Sequence, residues 1–402
     1  MNIDKASKQW MNRIEDERFD SIEALEANAL SSKMTSFNMP ALTKGFRAKA
    51  VENEGLILES NTGRKAALSH LASRQLARRL EIPPGIFEAE DEQPKFSPNI
   101  IADLVNDRIK RSNDEKPLAL YVEKIDDESI PLNIRCITSE KYRRVHDYSV
   151  IQGIKPMIQQ GWKVPPARPA LPNQKGTRPA TQADLLKFGG HANLQVKLGD
   201  PIAPAGLYRG DQDMFVILVD DQNPIDDGGG RPLIRSRIIT NSEVGEGAFS
   251  ITEILHDTIC SNHIIWGVSK LVELRYRHLG DNAFERIMSS MKLETVARPD
   301  FKNEIAAMNW MRRNRLGTTT KEVVETVYGF NLGQSITKRL LTTALAGAEK
   351  YRGIDADPFS YAGLFQAVTR TSQLSRNANQ RFAIDREIGG LMSIASKELA
   401  LA

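Results

Sequence analysis

From Leu233 to Thr240 the chain reads Leu-Ile-Arg-Ser-Arg-Ile-Ile-Thr, an alternating, β-branched run whose period of two predicts a strand. Asn241, Ser242, Gly245 and Gly247 follow with turn chemistry, and a second strand is expected near Ala248 to Leu255. After Cys260-Ser261-Asn262-His263, the spacing of Ile264, Ile265, Val268, Leu271, Val272 and Leu274 predicts a helix. Arg275, Arg277 and His278 would complement its dipole and Gly280 would terminate it.

The same periodicities divide the rest of the chain. Short apolar runs around Phe37, Met39 and Leu42, and again at Leu56 to Leu58, predict strands. Ala67, Leu68, Leu71, Leu76 and Leu80 fit one face of a helix over 64–80, stopped by Pro83-Pro84-Gly85. A second short helix is expected over 99–112. Leu118 to Ile125 and Leu132 to Thr138 flank Asp126-Asp127-Glu128 as a hairpin, and Asp147 is placed to cap a helix running to about Gln160. The proline-rich, basic stretch 161–179 reads as irregular, either a mobile arm over a groove or a long loop. A short helix over 181–188 and strands over 193–197 and 214–219 come next. Asp220, Asp221, Asp226 and Asp227 suit an acidic hairpin tip better than a metal loop, because their spacing is not that of a calcium site. Beyond residue 280 the periodicity becomes helical: 282–296, 301–315, a Thr318-capped helix through Tyr328, 334–351 and 361–393. The last carries Arg370, Arg376, Arg381 and Arg386 on an expected polar face.

These elements predict an α+β fold: a mostly antiparallel sheet built of hairpins with packed helices, followed by a helical C-terminal region. The expected divisions are an acidic N-terminal arm (1–35), an α+β core (36–280) and the helical region (281–402). In the arm, Trp10, Met11, Ile14, Phe19, Ile22, Leu25 and Leu30 recur at roughly helical spacing within an acidic segment. It reads as solvated, with shielding of a basic site as the alternative.

A chain of 402 residues with 41% hydrophobic and 26% charged residues has the makings of a substantial core. Its net charge of +3 excludes a uniformly basic coat, so any polyanion site must arise from segregated charges. Two cysteines, Cys136 and Cys260, give no disulfide framework and fit a reducing cytoplasm. No apolar stretch is long enough to predict a membrane span or a signal peptide.

Segregation of charge is visible. Arg64, Lys65, Arg74, Arg78 and Arg79 fall within one predicted helix with no acid among them, whereas a purely structural surface helix usually interleaves signs. Lys141, Arg143 and Arg144 surround Tyr142, a combination suited to phosphate contact and base stacking, or simply to a packed ring with solvated arginines. Arg235 and Arg237 add charge to the strand of the opening stretch, and Arg312 to Arg315 form a further basic cluster.

Catalytic patterns are scarce. His256, Cys260 and His263 would need a fourth ligand for a closed zinc site, and a Cys260–His263 nucleophile pair has only Asp257 nearby to orient it. The Gly-rich run at 228–230 is not followed by the Lys-Ser/Thr of a phosphate loop. The sequence therefore predicts a non-enzymatic protein with no metal and no cofactor.

The Asn241-Ser242 turn, the following strand, the Cys260-Ser261-Asn262 step and Arg277-His278-Leu279-Gly280, with Lys141-Tyr142-Arg143-Arg144-Val145 and Arg74-Gln75-Leu76-Ala77, resemble the phage/plasmid-like proteins, a family filed as a domain of unknown function. The resemblance implies a phage or plasmid setting and, if phage-encoded, the host cytoplasm. It implies no particular activity. Combined with the basic clusters, it leads to the expectation of a protein that binds single-stranded DNA and promotes strand annealing in recombination, as a possible homo-oligomer without membrane contact. The alternative is a factor acting on a host or phage protein through its acidic arm.

Overall fold

A computed structural model describes residues 15–401 except 52–54, 88, 91–92, 113–116, 127, 173, 175, 189–195, 205, 227–232, 258–264, 267–272, 281, 294–300 and 352–354. A six-stranded sheet runs in the order β2 (Ser36–Ala41), β8 (Leu118–Lys124), β9 (Leu132–Ser139), β5 (Lys65–Leu68), β4 (Gly55–Ser60), β3 (Phe46–Val51). Its pairings are antiparallel except that of β5 with β9. Helices α2 (His70–Arg79) and α3 (Pro98–Arg111) lay Leu76, Ile101 and Val105 onto Leu58, Leu68, Leu120 and Ile134. A small ribbon of β6 (Ala89–Glu90) and β7 (Gln93–Pro94) links the two helices.

The second sheet holds β1 (Glu17–Arg18), β13 (Leu207–Arg209), β14 (Met214–Ile225), β15 (Leu233–Asn241) and β16 (Phe249–Asp257) in that order, with β17 (Ile265–Trp266) and β18 (Glu273–Tyr276) both paired to β16. It is buried on both faces, which is why Met214 to Val219 reads as an unbroken apolar run. Met214, Val216 and Leu218 face α1 (Ile22–Thr35) and α4 (Asp147–Gln159) through Leu25, Val150 and Ile154. Phe215 and Ile217 point the other way, where Phe215 stacks on Phe382 at 4.7 Å. Full burial of one such side chain contributes roughly 1.5–3 kcal/mol.

Beside this sheet, β10 (Arg168–Pro169), β12 (Pro201–Ala203) and β11 (Arg178–Pro179) form a three-stranded sheet, with α5 (Gln182–Phe188) between β11 and β12 in the chain. The C-terminal region is helical as expected: α6 (Ala283–Leu293), α7 (Lys302–Arg313), α8 (Thr320–Gly329), α9 (Lys338–Ala348), α10 (Tyr361–Ser372), α11 (Ala378–Ile388) and α12 (Gly390–Leu401). Met308, Met311, Phe365 and Val368 form its core, which continues into Leu233 and Leu255 of the second sheet. The architecture is thus α+β with antiparallel hairpins and a helical C-terminal region. No helix among the described residues is long and apolar enough to cross a membrane.

Several expectations need correction. Residues 64–80 are not one helix: Ala66, Ala67 and Leu68 are buried in the β5 ladder, and Ser69 begins α2 by accepting the Ala72 amide at 3.0 Å. The predicted helix over 264–274 is replaced at 265–266 and 273–276 by strands that satisfy the edge of β16. The described part of the acidic arm is not solvated, since Phe19, Ile22, Leu25 and Ala29 are buried against α4 and the second sheet. The proline-rich stretch is tied down by β10 and β11, and the predicted helix over 361–393 breaks at 373–377 and at Gly389. Arg370 and Arg381 lie buried rather than on a polar face. The expected strand over 193–197 falls largely outside the described residues.

Candidate functional site

The two sheets meet where β15 ends. Glu243, only 2% exposed, sends its carboxylate into this junction and accepts Arg135 Nη1 at 3.2 Å, Tyr121 Oη at 3.4 Å and the Asp147 backbone amide at 2.7 Å. His146 and Arg209 Nη2 each lie 3.7 Å from it. Asp147 in turn accepts Arg209 Nε at 2.9 Å and Asn241 Nδ2 at 2.8 Å. Arg209 reaches Asn28 at 2.7 Å and Arg135 reaches Ser32 at 2.8 Å, so α1 is bound into the same network.

Burial on its own would raise the Glu243 pKa, but His146 and the charges of Arg135 and Arg209 overcome it and hold the carboxyl well below its usual range. Asp147 is pushed up to about 6 by burial and by the negative charge of Glu243, against the pull of Arg209. Tyr121 is raised to about 12 by burial and Glu243. The network is a paired, internally neutralised lock. Beside it opens a polar cavity of about 270 Å³, with Asn28, Ser32, Ser69, Asn133, Arg135 and Arg209 in its wall. Asn133 Oδ1 is buried there without a hydrogen-bond partner among the described residues.

Outside the lock, Ser242 to Gly247 form a loop on which separate parts of the chain converge. Gln75 Nε2 of α2 donates to Val244 O at 3.2 Å, and Tyr142 Oη donates to Ser242 O at 2.6 Å. The same phenol oxygen lies 2.7 Å from His278 Nδ1; its proton serves Ser242, so Nδ1–H of His278 is the donor in that second bond. Burial and the nearby Arg144 push His278 down to about 4, so the ring is neutral. The Arg143 amide donates to His278 O at 2.9 Å, joining the 140–144 turn to the end of β18. Gly245 sits at φ +84°, and a Cβ there would stand 3.4 Å from Thr138 and 3.6 Å from the Tyr142 ring.

The expected site residues divide accordingly. Arg78, Lys141 and Arg143 are exposed and Arg74 is half-buried on the segments that bond this loop, and Arg275 and Arg277, which flank the His278 segment, are exposed too. Glu246 offsets part of this charge, 3.7 Å from Arg78. Tyr142 is packed, and its phenol is committed to Ser242 and His278. Arg144 is half-buried: its guanidinium lies 3.5 Å from the Tyr121 ring centre, bonds Asn38 at 3.2 Å and reaches the Glu243 carbonyl. Arg64 and Lys65 are exposed but belong to the β4–β5 turn, with Lys65 in register opposite Glu59. Arg79 turns toward Thr43, at 3.4 Å.

Arg235 and Arg237 are not surface cations. They are 7% and 0% exposed, paired with buried Glu253 and set against Trp162, with Arg237 4.5 Å from its ring centre. The β15 alternation placed them on an inward face that α4 and its neighbours cover. Of the candidate zinc ligands His256, Cys260 and His263, both Cys260 and His263 and the side chain of His256 lie outside the described residues. Among the described residues no three His, Cys, Asp or Glu side chains are grouped to hold a metal ion.

Sequence reasoning missed Glu243, Arg135 and Arg209. The available signal was a lone charge set within or at the end of an apolar strand, as in Leu132-Asn133-Ile134-Arg135-Cys136-Ile137. Comparison with family models, curated proteins and solved structures finds no match for this chain.

Proposed function

We propose that the protein binds single-stranded nucleic acid, DNA in particular, along the rim of the Ser242–Gly247 loop, by binding rather than catalysis. One observation carries this reading: the three distant segments that carry Arg74 and Arg78, Lys141 and Arg143, and Arg275 and Arg277 meet at one loop through Gln75, Tyr142 and His278. The lock beneath neutralises its own charges and draws on none of these cations. Phosphate contacts supply affinity that is independent of sequence and falls with salt. A strand tracking this rim needs no groove-reading helix. In the phage or plasmid setting that the sequence resemblance implies, such binding would serve strand annealing in recombination.

The test is anisotropy of labelled single- and double-stranded oligonucleotides across a salt series. Binding that prefers the single strand and weakens steeply with salt is the expected result; no binding at low salt overturns the proposal.

A second reading rests on the β2 edge. Among the described residues edge strand β2 pairs only with β8, and Met34, Phe37 and Leu42 stand 78%, 37% and 52% exposed on or beside it. An uncovered edge with apolar neighbours favours pairing with another chain, here a second copy of the protein. Light scattering of the purified protein tests this.

A further inference from the structure

Away from the loop, the proline-rich segment delivers an unusual side chain into the interior. Arg168 of β10 is 2% exposed, and its guanidinium has no hydrogen-bond or ion-pair partner among the described residues; Nε and Nη2 are both enclosed. A guanidinium cannot shed its charge as a buried lysine does, so leaving it unpaired in a low-dielectric interior is strongly unfavourable.

Its neighbours deepen the imbalance. Arg18 of β1 lies with its guanidinium 5.4 Å from the Tyr208 ring centre, and Arg381 of α11 lies 5.7 Å from it while donating to Tyr208 Oη at 2.6 Å. Arg18 Nη1 and Arg381 Nε are also buried without a hydrogen bond. The carboxylate on hand is Asp385, 3.5 Å from Arg381 Nε and already accepting Ser372 Oγ. Burial raises Asp385 to about 6, while Arg168 is lowered to about 9 by burial, with Arg381 and Arg18 adding to that shift. Burial would raise Tyr208 too, yet Arg381, Arg18 and Arg168 together bring its phenol below the ordinary value. The cluster is built like the interior of an anion site.

We propose that Arg18, Arg168, Arg381 and the Tyr208 hydroxyl hold a phosphate-type oxoanion. Several unpartnered N–H donors on separate guanidiniums suit the multiple acceptor oxygens of a tetrahedral oxoanion better than the two of a carboxylate. Entry is on the side of Arg18, which is half-buried; exposed Gly176 (φ +65°) passes beside it, where a Cβ would stand 3.5 Å from Arg18 Cδ. The anion could arrive as free phosphate or as the phosphate of a nucleotide or strand end. The site is separate from the loop rim and does not depend on the reading given above.

Calorimetry with inorganic phosphate at matched ionic strength, with chloride as the control, tests this. Saturable binding is expected, weakened at least about tenfold by Arg168→Met, which keeps the volume and removes the charge. Should that variant fail to fold, Arg18→Ala at the half-exposed entrance gives the same reading. Phosphate should also raise the phenolate titration of Tyr208, assigned by difference against Tyr208→Phe. Adenosine monophosphate and 5′-phosphorylated or unphosphorylated oligothymidine separate the sources, each supporting the site if its affinity falls in Arg168→Met. Phosphate binding that survives Arg74→Ala and Arg143→Ala keeps this outcome distinct from that at the loop. The proposal is overturned if phosphate binds no better than chloride, if Arg168→Met and Arg18→Ala leave its affinity unchanged, or if Tyr208 titrates identically with and without it.

Discussion

The Glu243 carboxylate accepts the backbone amide of Asp147 at 2.7 Å, so the acid that follows β15 caps the start of α4, almost a hundred residues earlier in the chain. Asp147 then turns its own carboxylate back to Arg209 and Asn241. The two acids are neighbours only because each is matched by a buried guanidinium.

Removing Glu243 should therefore cost far more than removing a surface acid. Glu243→Ala leaves Arg135 and Arg209 buried without their shared partner, and a loss of about 3–5 kcal/mol is expected. Glu243→Gln keeps an acceptor for the Asp147 amide and should lose less. Urea unfolding of the variants checks both; equal, small losses would mean that the junction does not depend on this charge.

Two groups at the site oppose each other in acid. His278 titrates near 4 in the folded chain against an ordinary 6.5, so between those values the unfolded chain takes up a proton that the folded chain refuses. Stability from this group is present above pH 6.5 and is lost as pH falls toward 4, by at most about 3 kcal/mol. Asp147 holds its proton up to about 6 against an ordinary 3.8, and its contribution instead fades as pH rises from 3.8 to 6. Asp385, also raised to about 6, has the same sign as Asp147. His278→Gln should flatten the acid-side loss measured by denaturant titration at several pH values. An unchanged profile would remove His278 from the account.

The rim and the buried strand arginines should separate in binding assays. Arg74→Ala and Arg143→Ala are each expected to weaken single-strand binding and to reduce the slope of log affinity against log salt by up to about one. Arg235→Met should leave that slope unchanged, because Arg235 faces Glu253 and Trp162 rather than solvent, and its effect should appear in unfolding. A salt slope lowered by Arg235→Met but not by Arg143→Ala would reverse this assignment.

Gly245→Ala is expected to destabilise by about 1 kcal/mol or more, since a φ of +84° is unfavourable for alanine. Thermal unfolding reads the loss, and reduced oligonucleotide affinity alongside it would place the loop in the interface.

At the β2 edge, Met34→Lys combined with Phe37→Lys should dissociate any dimer formed there without lowering stability by more than about 0.5 kcal/mol, the usual span for surface positions. Light scattering decides; a monomeric parent protein would end that reading.

The sequence alone determined the strands β14, β15 and β16, the hairpin of β8 and β9, and the helical C-terminal region. Periodicity is a local property, and these segments pair with near neighbours in the chain. It misjudged β5, because Ala66 to Leu68 are held as a strand between β4 and, in parallel pairing, β9, some sixty-five residues away. It misjudged β17 and β18 for the same reason: β16 offers an edge that the helical spacing of Ile264 to Leu274 could not reveal. Charge was where tertiary structure decided most. Arg143 and Arg237 look alike in sequence, yet one stands in solvent on a turn and the other lies beneath Trp162 against Glu253. Whether an arginine meets water or a buried carboxylate depends on which distant segment covers it, and no local pattern carries that information.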